Sequence, residues 1–398
     1  MPLSEIAQAT TSSRVPNIAA NAAFVPIGIV TILLGPMLPS LSAQWSLSYG
    51  QAGSLFTAQF VASTAAVLLS GALIARLGFR FTINAGLLAM AVPLAALPFS
   101  SYPLGVACIA LYGAGSGLAV PAANLLVAEV NPTCRSAALN RLNFSWSVGA
   151  VACPFLVAAA IRSHHITLLL ASVSGFLLLV LLGIATMPWQ SGGPAATPGN
   201  DGKTLAPINW GTSAFRVLGV LFFLYVGAEN AFGGWVASYA KSLATFSNAR
   251  AVMTPSFFYI ALMIGRWLAP FLLRAVDDVK LARAGLLLAC AGMAGLLLSH
   301  SMLPVVLSVS VAGMGFSAVY PITIALLSRE FGPTASRIGS IMFTAANLGG
   351  ASLPWLVGHV SDRFGSLTVG LGVPLVAGIV MYVLYAVQWG SAPRQVPA

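Results

Sequence analysis

The sequence predicts an all-α membrane protein with twelve transmembrane helices in two pseudo-symmetric six-helix bundles. Only 7% of the residues are charged, 58% are hydrophobic, and the mean hydropathy is +0.91. A soluble domain carries about 25% charged residues. The apolar residues also form long stretches of about 20 residues or more, the length that a helix needs to cross a bilayer. The lipid bilayer is therefore the expected surrounding of this chain.

Each apolar stretch is interpreted as a helix because an open chain in lipid satisfies its backbone groups only by helical hydrogen bonds. Prolines within these spans are expected to kink the helices, which membrane helices tolerate. The first six spans are 17–43, 49–75, 81–99, 103–129, 137–161 and 166–187, and the second six are 213–240, 250–273, 281–300, 303–329, 338–361 and 367–389.

One gap between spans is longer and richer in Gly, Pro and polar residues than the others. This composition is typical of a flexible linker. The sequence therefore predicts an N-terminal six-helix bundle at 1–188, a cytoplasmic linker at 189–212 and a C-terminal six-helix bundle at 213–398.

The distribution of Lys and Arg predicts the orientation. With the N-terminus in the cytoplasm, thirteen basic residues lie inside and four lie outside, namely Arg162, Lys241, Arg250 and Arg363. Positive charge prefers the cytoplasmic side, so both termini are expected there, in a multi-pass protein of the inner (plasma) membrane. The net charge of +10 does not indicate a nucleic-acid partner, because the basic residues form no patch. A monomer is expected.

The two halves of the chain repeat each other. Glycines and prolines recur after 200 residues, which predicts the same kinks and close helix contacts in spans 4–5 and 10–11. The pairs are Gly113 with Gly313, Gly115 with Gly315, Pro121 with Pro321, Gly149 with Gly349, and Pro154 with Pro354.

These features resemble the major facilitator superfamily over the whole chain. The family signature Gly-x-x-x-Asp-Arg-x-Gly-x-Arg is matched at residues 71–80, except that Ala75 replaces the acid. The resemblance implies that Arg76 and Arg80 act in gating, without the charge relay that the acid provides. The pattern Gly358-x-x-x-Asp362-Arg363-x-Gly365 repeats part of the signature on the predicted outer side, where a structural role is expected.

A finer resemblance concerns spans 7 and 8. The segments 229–239 (ENAFGGWVASY) and 265–267 (GRW) are similar to the branch that includes fucose, galactose and glucose symporters. That branch often has a further acid in helix 4, and residues 118–124 of this chain contain none. The resemblance implies cation-coupled transport of a monosaccharide.

Glu229 is the only acidic residue well inside a span. A charge at the centre of the bilayer costs about 2.5–3.5 kcal/mol on insertion scales, and such residues usually face a cavity and carry function. We expect Glu229 to be the cation-coupling residue, binding either a proton or Na+. The alternative is a structural partner for a neighbouring polar group. No other cofactor or metal is expected.

Arg266 is the only basic residue inside a span. It lies about two turns, or about 12 Å, from the cytoplasmic end of span 8. Glu229 lies deeper in the bilayer than Arg266, so a direct ion pair between them requires an extended arginine side chain or a kinked helix. Arg266 either extends toward the inner headgroups or acts as a gate or an anion contact.

Several amides and aromatic residues lie within spans. Each alone is more often a contact between helices, but together they describe a cavity that is polar and nearly uncharged. Amides bind hydroxyl groups as donor and acceptor. The predicted substrate-binding residues are Asn21, Gln59, Asn143, Trp146, Tyr225, Asn230, Tyr320 and Asn347.

Charged residues at the inner ends of spans form a further group. They act either as topology signals or as salt bridges that close the cytoplasmic side and break during transport. The predicted gating residues are Glu129, Arg135, Glu330 and Arg337, together with Arg76, Arg80 and Arg266.

Three functions are compared. A small neutral polar solute, most simply a monosaccharide, fits a cation-coupled symporter that works by alternating access. A proton-coupled multidrug exporter also needs one buried acid and aromatic walls. An intramembrane enzyme is disfavoured because the sequence contains no HExxH, no GxSxG and no clustered aspartates, and all four histidines lie near span ends.

Overall fold

A computed structural model describes residues 3–132, 134–187, 212–243 and 247–389. These residues form α-helices and two short 3-10 turns, and the described part contains no strand. The all-α prediction is therefore confirmed. The predicted linker at 189–212 lies, apart from Thr212, outside the described residues.

Fourteen helices are seen in these ranges. In the first half of the chain they are α1 (Leu3–Ile32), α2 (Leu34–Trp45), α3 (Tyr49–Ala96), α4 (Tyr102–Val130), α5 (Arg135–Ser163) and α6 (Ile166–Thr186). In the second half they are α7 (Ser213–Ser242), α8 (Asn248–Leu272), α9 (Asp278–Leu297), α10 (Met302–Phe316), α11 (Val319–Phe331), α12 (Ala335–Phe364), α13 (Leu367–Gly370) and α14 (Gly372–Trp389).

The described helices are long and apolar enough for a membrane protein. By length and composition, ten helical segments of the described chain could cross a bilayer. One of them, Tyr49–Phe99, is 51 residues long and contains two predicted spans. Gly78 divides it, with a φ of 83° and a ψ of 169° that are not helical. Helix α12 is 30 residues long and is not among the ten.

Three predicted spans contain a break rather than a kink. In each, a proline follows the last residue of the helix, or its C-cap residue, by four positions. The proline has no N–H to donate to the carbonyl group of that earlier residue, and its ring clashes with this carbonyl group, so the helical hydrogen bond between the two residues is lost. The pairs of proline and opposed residue are Pro36 with Ile32, Pro321 with Ser317, and Pro374 with Gly370. Other prolines, such as Pro121 and Pro154, remain inside continuous helices.

The chain divides into two compact units. Unit 1 contains residues 1–37 and 58–203, and unit 2 contains residues 38–57 and 204–398. The segment 38–57, which includes most of α2 and the start of α3, thus belongs to unit 2 although it lies in the first half of the sequence. The domain boundaries at 188 and 213 stay a prediction.

The glycine repeat corresponds to equivalent contacts inside each unit. At all six repeated glycines, an added Cβ atom would overlap a backbone carbonyl oxygen of the helix that packs against it, so only glycine permits the approach. The glycine and carbonyl residues are Gly149 with Val25, Gly113 with Gln59 and Gly115 with Gly86 in unit 1, and Gly349 with Phe223, Gly313 with Phe258 and Gly315 with Gly285 in unit 2.

Candidate functional site

Glu229 lies in the middle of α7, within unit 2. This helix begins after Thr212, whose side chain accepts a hydrogen bond from the backbone N–H of Phe215. It then runs for 30 residues without a proline. The Glu229 side chain is 13% exposed, so it is mostly shielded by protein and still reachable.

Arg266 of α8 is the ionic partner of Glu229. Its Nη2 atom lies 3.8 Å from Glu229 Oε1, and its side chain is 29% exposed. The pair is close enough for strong attraction but longer than a hydrogen bond. Arg266 Nε is also buried without a hydrogen-bond partner among the described residues. Arg266 therefore reaches Glu229 instead of extending to the headgroups.

Aromatic rings surround this ion pair. Tyr225, one turn before Glu229, stacks on Tyr320 of α11 with ring centroids 5.1 Å apart. Phe222 meets the edges of Tyr320 and Phe343, each at 5.7 Å. The hydroxyl groups of both tyrosines lie near the two charges. The result is an aromatic wall beside an acid and a base.

Tyr225 and Tyr320 differ in their exposure and in their hydrogen bonds. Tyr225 is 1% exposed, and its hydroxyl donates to the Phe316 carbonyl oxygen at 3.1 Å. That carbonyl group ends α10, next to the break before α11, so Tyr225 stabilises the break. Tyr320 is partly exposed and is the more accessible residue of the pair.

Three predicted substrate-binding residues of unit 1 bind other protein groups. Trp146 Nε1 donates to Thr31 Oγ1 at 3.0 Å, and Gln59 Nε2 donates to the Thr31 carbonyl oxygen at 3.3 Å. Asn21 Oδ1 accepts a hydrogen bond from Ser145 at 2.9 Å. These contacts join α1 to α3 and α5. Thr31 is the centre of the network, a role that its polarity alone did not reveal.

The other predicted substrate-binding amides, in contrast, form no hydrogen bond between helices that the structure shows among the described residues. Asn143 and Asn230 each donate to the backbone carbonyl four residues earlier, at 2.9 and 2.8 Å. Their Oδ1 atoms are not used by these bonds. Asn347 of α12 is partly buried and lies one turn after Phe343, which belongs to the aromatic wall of unit 2. The helical spacing of Phe343 and Asn347 was a signal that sequence reasoning did not use.

The structure shows contacts for some of the predicted gating residues. Arg76 and Arg80 flank the turn at Gly78 in α3, and Arg135 Nε donates to the Ala128 carbonyl oxygen at 3.3 Å, near Glu129. Glu330 Oε1 accepts a hydrogen bond from Trp389 at 2.9 Å. The side chain of Arg337 lies outside the described residues. Their gating role stays a prediction.

Within the described part of the chain, two salt bridges are present, and both lie in unit 2. One joins Glu229 and Arg266, and the other joins Arg329 and Asp278 at 3.3 Å. The second pair is more exposed, with 52% of Arg329 and 26% of Asp278 accessible. It was not predicted, although the loop at 274–280, which corresponds in the second half to the signature loop at 71–80, contains two acids.

Comparison with known proteins agrees with this fold. The Major Facilitator Superfamily profile matches residues 21–354. The sodium-dependent glucose transporter 1A of Mus musculus is 21% identical over 93% of this chain and 95% of its own length. The resemblance inferred from the sequence is thus confirmed for the family.

Two solved structures show the same fold at low sequence identity. The D-xylose-proton symporter has a TM-score of 0.78 and 17% identity, covering 95% of this chain and 97% of its own. The fucose:proton symporter FucP of E. coli has a TM-score of 0.63 and 19% identity, covering 94% of this chain and 99% of its own.

Proposed function

Because this chain belongs to the Major Facilitator Superfamily, it is a membrane transporter and not an enzyme, and we propose that it carries a small neutral polar solute. We take this solute to be a monosaccharide, moved by cation-coupled symport with alternating access. In this proposal the chain works as a monomer in the inner membrane, with both termini in the cytoplasm.

The observation that carries the proposal is the Glu229–Arg266 pair beside the aromatic wall of unit 2. One acid and one base at 3.8 Å give a site without net charge, which suits a neutral solute. The exposed part of Tyr320 provides a flat apolar face for a sugar ring. The partly exposed guanidinium group of Arg266 and the amide oxygen of Asn230 can bind hydroxyl groups.

Glu229 is the proposed coupling residue. At 3.8 Å the attraction between the two charges is about 4 kcal/mol for an effective dielectric constant of about 20. A proton or Na+ on the carboxylate cancels most of this attraction. Arg266 is then free to hydrogen-bond solute hydroxyl groups, so the cation and the solute each favour binding of the other.

The names of similar proteins support a sugar as the solute. One relative is called a glucose transporter and depends on sodium, and two structural neighbours are called proton symporters for D-xylose and fucose. These names leave both coupling ions open, so the experiment must test each ion separately.

The experiment is uptake of labelled glucose, xylose and fucose into proteoliposomes. A pH gradient and a Na+ gradient are imposed in separate samples. Accumulation above the equilibrium level with one gradient supports sugar symport and identifies the ion. Export of a lipophilic cation in exchange for protons, with no sugar uptake, would instead show a multidrug exporter.

A matched control uses the second ion pair of unit 2. Asp278→Asn removes the partner of Arg329 at 3.3 Å, and Glu229→Gln removes the partner of Arg266. Only Glu229→Gln is expected to abolish accumulation. Equal losses in both variants would show that the effect reflects general damage to unit 2.

A further inference from the structure

The start of α3 is docked on helices of the opposite sequence half. Residues 38–57 pack within unit 2, while residue 37 and residue 58 belong to unit 1. We call residues 38–57 the docked segment. Since the chain continues into unit 1 at both ends, any movement of unit 1 relative to unit 2 must act on this segment.

Asp362, near the end of α12, binds the docked segment with both carboxylate oxygens. Its Oδ1 accepts a hydrogen bond from the backbone N–H of Tyr49 at 2.8 Å. Its Oδ2 accepts from the backbone N–H of Gly50 and from the hydroxyl of Ser48, both at 2.7 Å. These short bonds to an ionised acceptor are of the stronger class.

These bonds complete the cap of α3. The first N–H groups of a helix have no partner inside the helix. Ser48 and Gln51 form a capping box, in which Ser48 Oγ accepts from the Gln51 N–H at 3.2 Å and Gln51 Oε1 accepts from the Ser48 N–H at 3.0 Å. The N–H groups of Tyr49 and Gly50 lie between these positions, and Asp362 accepts from both. A carboxylate at a helix N-terminus is also favoured by the helix dipole.

Close packing surrounds the three bonds. The indole N–H of Trp235 donates to the Pro354 carbonyl oxygen at 2.9 Å. The fixed indole ring then contacts Tyr49 and Phe56, with centroids 6.1 and 6.4 Å away. A Cβ atom on Gly358 would overlap the Tyr49 carbonyl oxygen. Helix α12 thus approaches the start of α3 through a glycine one turn before Asp362.

Asp362 belongs to the second copy of the family signature pattern. Gly365 in this copy has a φ of 62°, and Gly78 in the first copy has a φ of 83°. Both loops therefore use glycine in a positive-φ turn. The first copy has Ala75 at the position equivalent to Asp362, so of these two copies the one on the predicted outer side carries the carboxylate.

We propose that Asp362 forms a releasable latch, which holds the docked segment on unit 2 and opens once in each transport cycle. The latch consists of Asp362 with Ser48, Tyr49 and Gly50. It goes beyond the proposed solute and coupling ion, because it requires only that the two units move. Asp362 is exposed, so water can replace its bonds and the latch can open reversibly.

The test measures how often the docked segment is released. Phe56, which is 4% exposed and contacts Trp235, is replaced by Cys in full-length protein whose natural cysteines are removed. Reconstituted protein is treated from outside with a membrane-impermeant maleimide. Asp362→Asn keeps the size of the side chain and removes its charge. We expect labelling about tenfold faster than with Asp362 intact.

Two further variants decide the interpretation. Ser48→Ala removes one of the three hydrogen-bond donors to Asp362 and should raise the labelling rate by a smaller factor. This variant also tests the latch if Asp362→Asn does not fold. Asp277→Asn is the matched control, because Asp277 caps α9 through local bonds to Val279 and Lys280.

Unchanged labelling in Asp362→Asn and Ser48→Ala, or an equal rise in Asp277→Asn, would overturn the latch. The labelling needs neither solute nor ion gradient, so this result is independent of the role of Glu229.

Discussion

The ion pair between Glu229 and Arg266 predicts a specific pattern in a double-mutant cycle. Glu229→Gln leaves the guanidinium group without its carboxylate, and its Nε already lacks a partner. Arg266→Gln leaves the carboxylate unpaired. The double variant Glu229→Gln with Arg266→Gln contains neither charge. Each single variant should therefore be less stable than the double variant, because an unpaired buried charge is more costly than a neutral pair.

The magnitude follows from the distance and the exposure. An attraction of about 4 kcal/mol at 3.8 Å is reduced because 29% of the Arg266 side chain is accessible to solvent. We therefore expect a coupling free energy of about 2 kcal/mol, which lies in the range for contacting residues. For a unit of about 200 residues, this corresponds to a Tm difference of about 4–8 °C.

Thermal unfolding of the purified protein in detergent measures this coupling. The Tm of the wild type, the two single variants and the double variant is compared under identical conditions. The double variant should recover several degrees relative to the less stable single variant. If the two single losses simply add in the double variant, the charges do not interact and the pair is incidental.

Three further predictions concern packing and topology. Thr31→Val removes the hydroxyl acceptor of Trp146 and should cost about 1–3 kcal/mol, seen as a lower Tm; an unchanged Tm would contradict the central role of Thr31. Gly349→Ala forces a Cβ atom onto the Phe223 carbonyl oxygen and should lower the Tm strongly, whereas Gly71→Ala meets no atom within 4 Å and should not. A cysteine introduced within 189–212 should react with an impermeant maleimide only in inside-out vesicles, and reaction in right-side-out vesicles would reverse the predicted orientation.

Hydropathy predicted the helices well because lipid imposes one solution on the backbone. It did not predict where helices break. The prolines in the spans look alike in the sequence, yet α1 ends at Ile32, ahead of Pro36, and α10 ends at Phe316, ahead of Pro321, whereas helices continue through Pro121 and Pro154. Whether a proline kinks or ends a helix depends on the partners available to the freed carbonyl group, which are set by tertiary packing. At the break before Pro321, Tyr225 supplies such a partner for a neighbouring carbonyl.

The sequence predicted which residues form the candidate site better than it predicted which residues contact one another. Charge inside an apolar span identified Glu229 and Arg266 separately. Whether they pair was left open, because depths counted along upright helices ignore helix tilt and the length of the arginine side chain, and the structure places them 3.8 Å apart. Asn21 and Trp146 were correctly recognised as polar positions, but periodicity could not show that their partners are Ser145 and Thr31.

The role of Asp362 illustrates the limit of local patterns. Its motif indicated a structural role, and the structure contains a positive-φ turn at Gly365. Its partners Ser48, Tyr49 and Gly50 lie more than 300 residues away in the sequence. Only the fold brings a helix end and a helix start from opposite halves of the chain together.

The most direct test of the central claim compares two transport modes in Glu229→Gln proteoliposomes. Counterflow of labelled sugar, which needs no driving ion, should persist, while accumulation driven by a pH or Na+ gradient should disappear. Accumulation at the wild-type level in this variant would contradict the claim that Glu229 couples the cation to the solute.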